Sequence, residues 1–159
     1  MPTEVPEPHL SAWRAVLNAH ATLIERIESE LARAGLPPLS WYDVLWAVRR
    51  APGRRIRMGQ LAESLTLSRG GLTKLADRLE EEGLLRREPA DEDGRGFYAT
   101  ITGAGVSLLR QMWAIYAQVL RETFVAPIEQ DEASVIAAAL TRARRAAQAA
   151  NPSQERHSA

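Results

Sequence analysis

The fold is decided by the twenty residues that run from Ser68 to Arg87, SRGGLTKLADRLEEEGLLRR. Leucines recur there at steps of three and four residues, at Leu72, Leu75 and Leu79, so they line one buried face of a helix. Gly83 is expected to end that helix, because a glycine just after the last periodic residue is a common stop signal. The stretch therefore predicts an amphipathic helix with one buried and one exposed face.

The exposed face of this helix carries polar side chains, most of them hydrogen-bond donors. At about 100° per residue, Thr73, Lys74 and Asp77 lie opposite the leucines, with Arg69 and Arg78 at the two edges. Reading a DNA major groove requires such groups, since Arg or Lys donates to guanine and Thr meets a thymine methyl or a phosphate. A solvated helix surface carries the same residue types, so this face alone leaves both interpretations open.

The segments on either side favour the DNA interpretation. A short helix from about Gly59 to Leu65 comes before the stretch at helix-turn-helix spacing. Two strands follow, Leu84 to Glu88 and Phe97 to Ile101, joined by a polar loop. This hairpin is typical of a wing, in which Arg95 at the tip enters a minor groove while the carboxylate of Asp93 holds its direction.

Further helices are predicted before this centre. Ser40 is the expected N-cap of a helix that continues to Ala51, and Arg55 to Arg57 alternates like a very short strand. An earlier helix, about 37 Å long, is longer than one small domain needs to cover its core, so a dimer arm is one explanation. Its apolar seam consists of Leu10, Trp13, Leu17, His20, Ile24, Ile27 and Leu31.

Two more helices follow the wing. Thr102 is expected to cap a long fifth helix that is broken at Pro127. A sixth helix runs from Asp131 to about Ala149, with Val135, Ile136 and Leu140 expected on its inward side. The sequence therefore predicts long helical arms on both sides of a compact centre.

Composition excludes several classes of protein. The 159 residues contain 20 basic and 20 acidic residues and no cysteine, which removes disulfides, thiolate chemistry and cysteine-bound zinc. The acidic run Asp91 to Asp93 lacks the ligand spacing of a calcium loop. The only histidines are His9, His20 and His157, and two of them lie near the tails, so we expect neither a metal nor a cofactor. No phosphate-binding glycine loop, HExxH or GxSxG motif is present, and we expect no enzyme. Apolar runs fall far short of the roughly 18 residues of a membrane span, which predicts a soluble cytoplasmic protein without membrane partners.

The run from Ser68 to Arg87, followed by Asp93-Gly94-Arg95-Gly96 and by Ile101 to Gly105, resembles the MarR family of bacterial regulators. The resemblance covers roughly residues 10–148. It implies a homodimeric winged-helix repressor that binds double-stranded DNA at a pseudo-palindromic operator. It also implies DNA contacts from Ser68, Arg69, Thr73, Lys74 and Arg78, and from Arg95 oriented by Asp93.

Two departures from the family pattern stand in the same stretch. Gly70-Gly71 replaces the Pro/Ser-type helix start that is common in the family, and Lys74 occupies a position where arginine is usual. The base preference of the family therefore cannot be transferred to this chain.

Domain boundaries follow from this resemblance and from composition. Residues 1–8 and 150–159 are expected to be disordered tails. Residues 40–101 are expected to form the winged helix-turn-helix lobe, and residues 9–35 and 102–149 the dimerisation helices. The predicted fold class is mainly α, an α+β winged helix with six helices and a two-stranded wing, in an obligate-type homodimer.

The resemblance further implies a small-molecule effector, often an aromatic or phenolic acid, that weakens DNA binding. Independently, His20 is the one polar member of the first-helix seam, and Arg14 adjoins that seam. Buried polar groups need partners, and an anionic ligand is one such partner. The hypothesis is an aromatic carboxylate bound by Arg14 and His20. Its apolar walls would be Trp13, Trp41, Trp46, Met112 and Trp113.

Three alternatives stay open. His20 and Arg14 could instead be satisfied within the protein, with the tryptophans in the core. A regulator of this type could lack any effector. A winged-helix dimer could also act mainly by binding another protein, which would make the exposed face from Ser68 to Arg78 dispensable.

Overall fold

The computed structural model describes residues 4–65, 69–90 and 96–150. These ranges contain six α-helices and a small three-stranded sheet, which confirms the predicted winged-helix class. The helices are α1 (Glu7–Arg33), α2 (Leu39–Arg50), α3 (Met58–Leu65), α4 (Arg69–Glu81), α5 (Gly103–Leu120) and α6 (Gln130–Ala149).

The sheet consists of β1 (Arg55–Arg57), β2 (Leu85–Pro89) and β3 (Phe97–Ile101). Its strand order is β1-β3-β2, and both pairings are antiparallel. The predicted hairpin is β2–β3, and the very short strand expected at Arg55 to Arg57 joins it as a third strand. The wing is thereby anchored to the helix-turn-helix through β1.

The chain divides into two compact units, Met1–Val119 and Leu120–Ala159. The core of the first unit confirms the predicted leucine face of α4, because Leu72 and Leu79 are buried and Leu75 is partly buried against them. Apolar side chains from α1, α2, α3, β2, β3 and α5 complete this core. Burial of these side chains is the main favourable contribution to the stability of the unit.

Gly83 and Thr102 determine where α4 ends and where α5 begins. Gly83 adopts a φ of +69°, a left-handed conformation that favours glycine, and ends α4 as predicted. Thr102 caps α5, because its Oγ1 accepts a hydrogen bond from the Gly105 N–H at 3.1 Å. The same hydroxyl donates to the Gly83 carbonyl oxygen at 2.7 Å, so one threonine joins the two helix ends.

The predicted cap of α2 was wrong. The helix begins at Leu39. Pro38 occupies the N-cap position, and its side chain makes no capping hydrogen bond. The Leu39 N–H instead donates to Glu28 Oε1 of α1 at 3.1 Å. A carboxylate eleven residues away thus satisfies the first backbone donor of α2, and Ser40 lies inside the helix instead of capping it.

The apolar seam of α1 divides into two parts. Ile27 and Leu31 are buried in the core, whereas Trp13, Leu17 and His20 are exposed in the single chain. The N-terminal part of α1 therefore presents an apolar surface that its own chain leaves uncovered.

The second unit contains a π-helical turn, Arg121–Val125, followed by α6. Regular helix α5 therefore stops at Leu120, earlier than the break expected at Pro127. A capping box formed by Glu129 and Glu132 starts α6. The prediction that an apolar stripe of α6 points inward was wrong for the single chain, because the side chains of this stripe are exposed. They are Val135, Ile136 and Leu140.

Candidate nucleic-acid interface

Helix α4 presents a polar face to solvent. Burial of Leu72, Ala76 and Leu79 on one side leaves the opposite side outward, where the side chains of Thr73, Lys74 and Arg78 are exposed. Thirteen residues give the helix a length of about 20 Å, since each residue rises about 1.5 Å. A helix of this size with a cationic exposed face has the dimensions that enter a DNA major groove.

Several of the predicted DNA contacts lie outside the described residues. Ser68, Asp93 and Arg95 belong to this group, and so does the side chain of Arg69, the first residue of α4. Their roles stay predictions. Ala90 and Gly96, the described residues next to the wing loop, are joined, because the Ala90 N–H donates to the Gly96 carbonyl oxygen at 3.1 Å.

Asp77 on α4 faces the wing as well as solvent. Its Oδ1 lies 2.7 Å from Arg87 Nη2 of β2, and its side chain is 45% exposed. Arg87 Nη2 also lies 2.6 Å from Glu80 Oε2. The sequence predicted Asp77 on the outward face, and the structure gives it an ion pair that ties α4 to β2.

Glu80 and Arg87 form a polar link between α4 and the wing through both carboxylate oxygens. The Arg87 backbone N–H donates to Glu80 Oε1 at 2.8 Å, and Arg87 Nε donates to Glu80 Oε2 at 2.8 Å. The backbone N–H of Arg87 and then its guanidinium hold the pKa of Glu80 below its usual value. Hydrogen bonding to Glu80 raises the pKa of Arg87 in turn. Charge-assisted bonds of this kind fix direction as well as distance.

Sequence reasoning did not identify Arg87 or Glu80 as functional residues. A signal was present, because successive side chains of a strand alternate between faces and Arg87 therefore lies on the same face as Leu85. Leu85 is buried, so an arginine two residues later needed a partner on the helix beneath it.

A second group of residues surrounds Tyr42 of α2. The Tyr42 ring is stacked with Trp46 and with Trp113, at 6.2 Å between centroids in each case. Tyr116 contacts Tyr42 and Trp113 edge-on, at 5.3 and 5.7 Å between centroids. We call these four residues, Tyr42, Trp46, Trp113 and Tyr116, the aromatic cluster.

The aromatic cluster is buried at its centre and open at its edges. Tyr42 is only 5% exposed, whereas Trp46 and Trp113 are 41% and 48% exposed. Burial is the main reason that the pKa of Tyr42 is raised to about 12, so its phenol stays neutral and can act as a hydrogen-bond donor. Burial and the nearby Glu28 raise the pKa of the adjoining Asp43 carboxyl.

The structure brings together only some of the predicted effector residues. Trp46 and Trp113 meet in the aromatic cluster, while Met112 is buried in the core and Trp41 packs against it. Trp13, Arg14 and His20 lie on the exposed part of α1. Arg14 Nη1 lies 3.8 Å from Glu7 Oε1, and both side chains are mostly exposed.

The sequence interpretation missed Tyr42 and Tyr116. Their spacing was informative, because Tyr42 and Trp46 are four residues apart and Trp113 and Tyr116 are three apart, the separations of neighbours on a helix surface. Their meeting across α2 and α5 depends on tertiary packing and could not be read from either segment alone.

Neither a metal centre nor a membrane-spanning element is found in the part of the chain that the structure describes. Across residues 4–65, 69–90 and 96–150, no three His, Asp or Glu side chains converge as metal ligands. None of the described helices combines the length and apolarity that a bilayer crossing demands.

Comparison with known proteins gives a consistent result. A family model described as MarR family matches residues 34–96. The HTH-type transcriptional regulator YkoM of Bacillus subtilis (strain 168) is 27% identical over 135 residues, which are 84% of this chain and 86% of that relative.

Solved structures agree with the sequence relatives. AbsC, a MarR family transcriptional regulator from Streptomyces coelicolor, has a TM-score of 0.82 at 25% identity, with 92% of this chain and 98% of that chain covered. Sco3205, a MarR family transcriptional regulator from the same organism in complex with DNA, has a TM-score of 0.83 at 25% identity, with 97% and 94% covered. These relatives are transcriptional regulators and not enzymes.

Proposed function

We propose that this chain is a DNA-binding transcriptional regulator of the MarR family and works as a homodimeric repressor released by a small aromatic carboxylate. The observation that carries the proposal is the polar face of α4, where Thr73, Lys74 and Arg78 are exposed opposite a buried leucine face. Arg87 adds support, because it links this helix to a wing strand and so relates the two DNA-reading elements.

The proposed DNA contacts divide into two kinds. Ser68, Arg69, Thr73, Lys74 and Arg78 of the recognition helix would contact bases and phosphates in the major groove. Arg95 at the wing tip, oriented by Asp93, would enter the minor groove. Loss of a base contact relaxes base preference, whereas loss of a phosphate contact weakens binding to all sequences alike.

The proposed dimer uses residues 9–35 and 102–149 around the winged lobe at 40–101. Support comes from apolar side chains that the single chain leaves exposed on these helices, since exposed apolar patches mark interfaces. They are Trp13 at 59%, Leu17 at 49%, Val135 at 68%, Ile136 at 37% and Leu140 at 44%. A two-fold dimer would read a pseudo-palindrome with half-sites about one helical turn apart.

The proposed effector site combines the aromatic cluster with the first helix. Trp46 and Trp113 are half-exposed around a buried tyrosine, which supports stacking of an aromatic ring. The pair between Arg14 and Glu7 is long and exposed, so it stabilises little and Arg14 can exchange Glu7 for a ligand carboxylate. His20 would be the second carboxylate donor. Trp13 and Trp41 would complete the walls, and the fully buried Met112 would have to be uncovered to contact the ligand.

The test measures DNA release by candidate ligands. Fluorescence anisotropy of the duplex upstream of the protein's own gene is followed while a panel of benzoates and phenolic acids is added. We expect one of these compounds to release the wild-type protein and to lose its effect in Arg14→Ala and His20→Ala. Arg33→Ala removes an exposed arginine from the same helix and serves as the control.

Other outcomes decide between the alternatives. Release that persists unchanged in both variants would place the effector elsewhere. Tight binding that no compound releases would favour a regulator without an effector. If the protein binds neither the upstream duplex nor any sequence obtained by random-site selection, a winged-helix dimer that acts on another protein would be favoured.

A further inference from the structure

The three-stranded sheet has an outer face, opposite the face that contributes Leu85 and Ala99 to the core. Directly paired residues of antiparallel strands point to the same face, and the register pairs Arg55 and Arg86 with Thr100. The next outward row pairs Arg57 and Glu88 with Tyr98. We call the six residues of these two rows, Arg55, Arg57, Arg86, Glu88, Tyr98 and Thr100, the outer sheet face.

The outer sheet face is cationic. It holds three arginines and one glutamate, in a chain whose total formal charge is zero. The arginine side chains are exposed, and Tyr98 is partly exposed between them. A local excess of positive charge on one exposed surface attracts polyanions even when the net charge of the protein is zero.

Tyr98 holds two of these arginines in defined positions. The Arg55 guanidinium lies 4.3 Å and the Arg57 guanidinium 5.4 Å from the centroid of the Tyr98 ring. Arg57 Nε also donates to the Tyr98 hydroxyl at 3.3 Å. Both guanidiniums lower the pKa of the Tyr98 phenol. Cation–π contacts restrict the two side chains, so less rotamer entropy is lost when they bind an anion.

The direction of this face follows from the opposite side of the sheet. Ile56, Ala99 and Leu85 of the inner side pack in or against the core, and inner Arg87 contacts α4. The outer sheet face therefore points away from the recognition helix. Tyr98 lies two residues, about 7 Å along β3, from Gly96, whose carbonyl oxygen accepts a hydrogen bond from Ala90 at the base of the wing loop. Arg57 is paired with Tyr98 and lies at the same level of the sheet.

We infer that the outer sheet face binds the sugar-phosphate backbone of duplex DNA beyond the half-site, through Arg55 and Arg57 held by Tyr98. This inference rests on the proposed placement of α4 in the major groove and the wing in the minor groove. If the wing lies in the minor groove beside the half-site, the sheet face that points away from α4 is directed along the duplex, outward from the half-site. Arginine matches phosphate geometry, and contacts to phosphate carry no sequence information.

The test compares two double variants in salt titrations of DNA binding. Arg55→Ala/Arg57→Ala removes two cations from the outer sheet face, and Arg26→Ala/Arg33→Ala removes two from α1 as the matched control. The duplexes are the upstream intergenic DNA and a random sequence of equal length. We expect the first variant to reduce the slope of log affinity against log salt by about 0.9 for each lost phosphate contact, on both duplexes.

A hydroxyl-radical footprint on the upstream duplex locates the contact. We expect Arg55→Ala/Arg57→Ala to lose backbone protection at the two outer ends and to keep it at the centre, while the control keeps both. Tyr98→Leu retains every charge, so it should weaken binding with a salt slope close to that of the wild type. An unchanged thermal unfolding midpoint establishes that each variant is folded.

Two results would overturn the inference while leaving the proposed function intact. One is a folded Arg55→Ala/Arg57→Ala protein with the affinity, slope and footprint of the wild type, which would assign the face to a protein partner or to solvent. The other is loss of protection inside the half-site only. Failure of the wild-type protein to bind either duplex would instead contradict the proposed function itself.

Discussion

Arg87 and Glu80 are joined twice, by a backbone hydrogen bond to Glu80 Oε1 and a guanidinium hydrogen bond to Glu80 Oε2, each at 2.8 Å. Glu80 belongs to α4 and Arg87 to β2, the first strand of the wing. Their link, together with the ion pair between Arg87 and Asp77, fixes the strand on the C-terminal half of the helix. The direction of the wing is thereby coupled to the direction of α4.

Removing the guanidinium should loosen this coupling. Arg87→Met is expected to lower the free energy of unfolding by about 1 kcal/mol, since the side chains involved are partly exposed and solvent reduces the effect. It should also weaken DNA binding, because α4 and the wing no longer share one orientation. Chemical denaturation and anisotropy measure the two effects.

Arg86→Met is the matched control for stability. Arg86 is the preceding residue of the same strand and lies on the outer face. Equal unfolding free energies for the two variants would contradict a structural role for Arg87.

The lowered pKa of Glu80 predicts a pH dependence. A carboxyl whose folded-state pKa lies below its unfolded value of about 4.5 stabilises the fold above that value. This contribution is lost as pH falls through the folded-state pKa. We expect the wild-type protein to lose more stability below about pH 4.5 than Glu80→Gln, which cannot titrate there. Denaturation curves from pH 7 downward test this, and parallel curves would count against it.

Gly105 permits the close approach of α5 to the end of α4. A Cβ at this position would meet the Leu84 carbonyl oxygen and lie 2.9 Å from Ile101 Cγ1. Gly105→Ala should therefore destabilise the protein by about 1–3 kcal/mol through overpacking. At Gly103, in the same helical turn, a Cβ would have no described atom within 4 Å. Gly103→Ala should match the wild type or exceed it in thermal stability, and similar losses in both would refute the packing argument.

Local sequence signals predicted the helix-turn-helix well. The helix expected to end at Gly83 is observed as Arg69–Glu81, because its leucine periodicity and Gly83 act within the segment itself. The short strand at Arg55–Arg57 was also predicted from alternation. The pairing of this strand with β3 could not be predicted, since register between distant segments is fixed by the tertiary fold.

Features that depend on distant partners were missed or wrong. Ser40 was expected to cap α2, but the helix begins at Leu39, whose N–H donates to Glu28 of a neighbouring helix. The stripe of Val135 and Leu140 was expected to be inward and is exposed in the single chain. A sequence pattern shows that a helix has an apolar face, but not whether its own chain or a second copy covers that face.

The proposed effector site shows the same limit. The tryptophans were identified from type and helix position, yet their arrangement around Tyr42 required the packing of α2 against α5. The partner of Arg14 could not be read from the sequence, because exposed ion pairs depend on side-chain conformation.

Recognition of DNA by α4 is the step on which the proposed function depends. The decisive measurement is the affinity of wild-type protein and Lys74→Ala for the upstream intergenic duplex and for single-base variants of it, at two salt concentrations, with Arg33→Ala as the control. We expect tight, salt-sensitive wild-type binding, and a loss of about 1–3 kcal/mol with relaxed base preference in Lys74→Ala. Lys74→Ala binding with wild-type affinity and base preference would contradict the account.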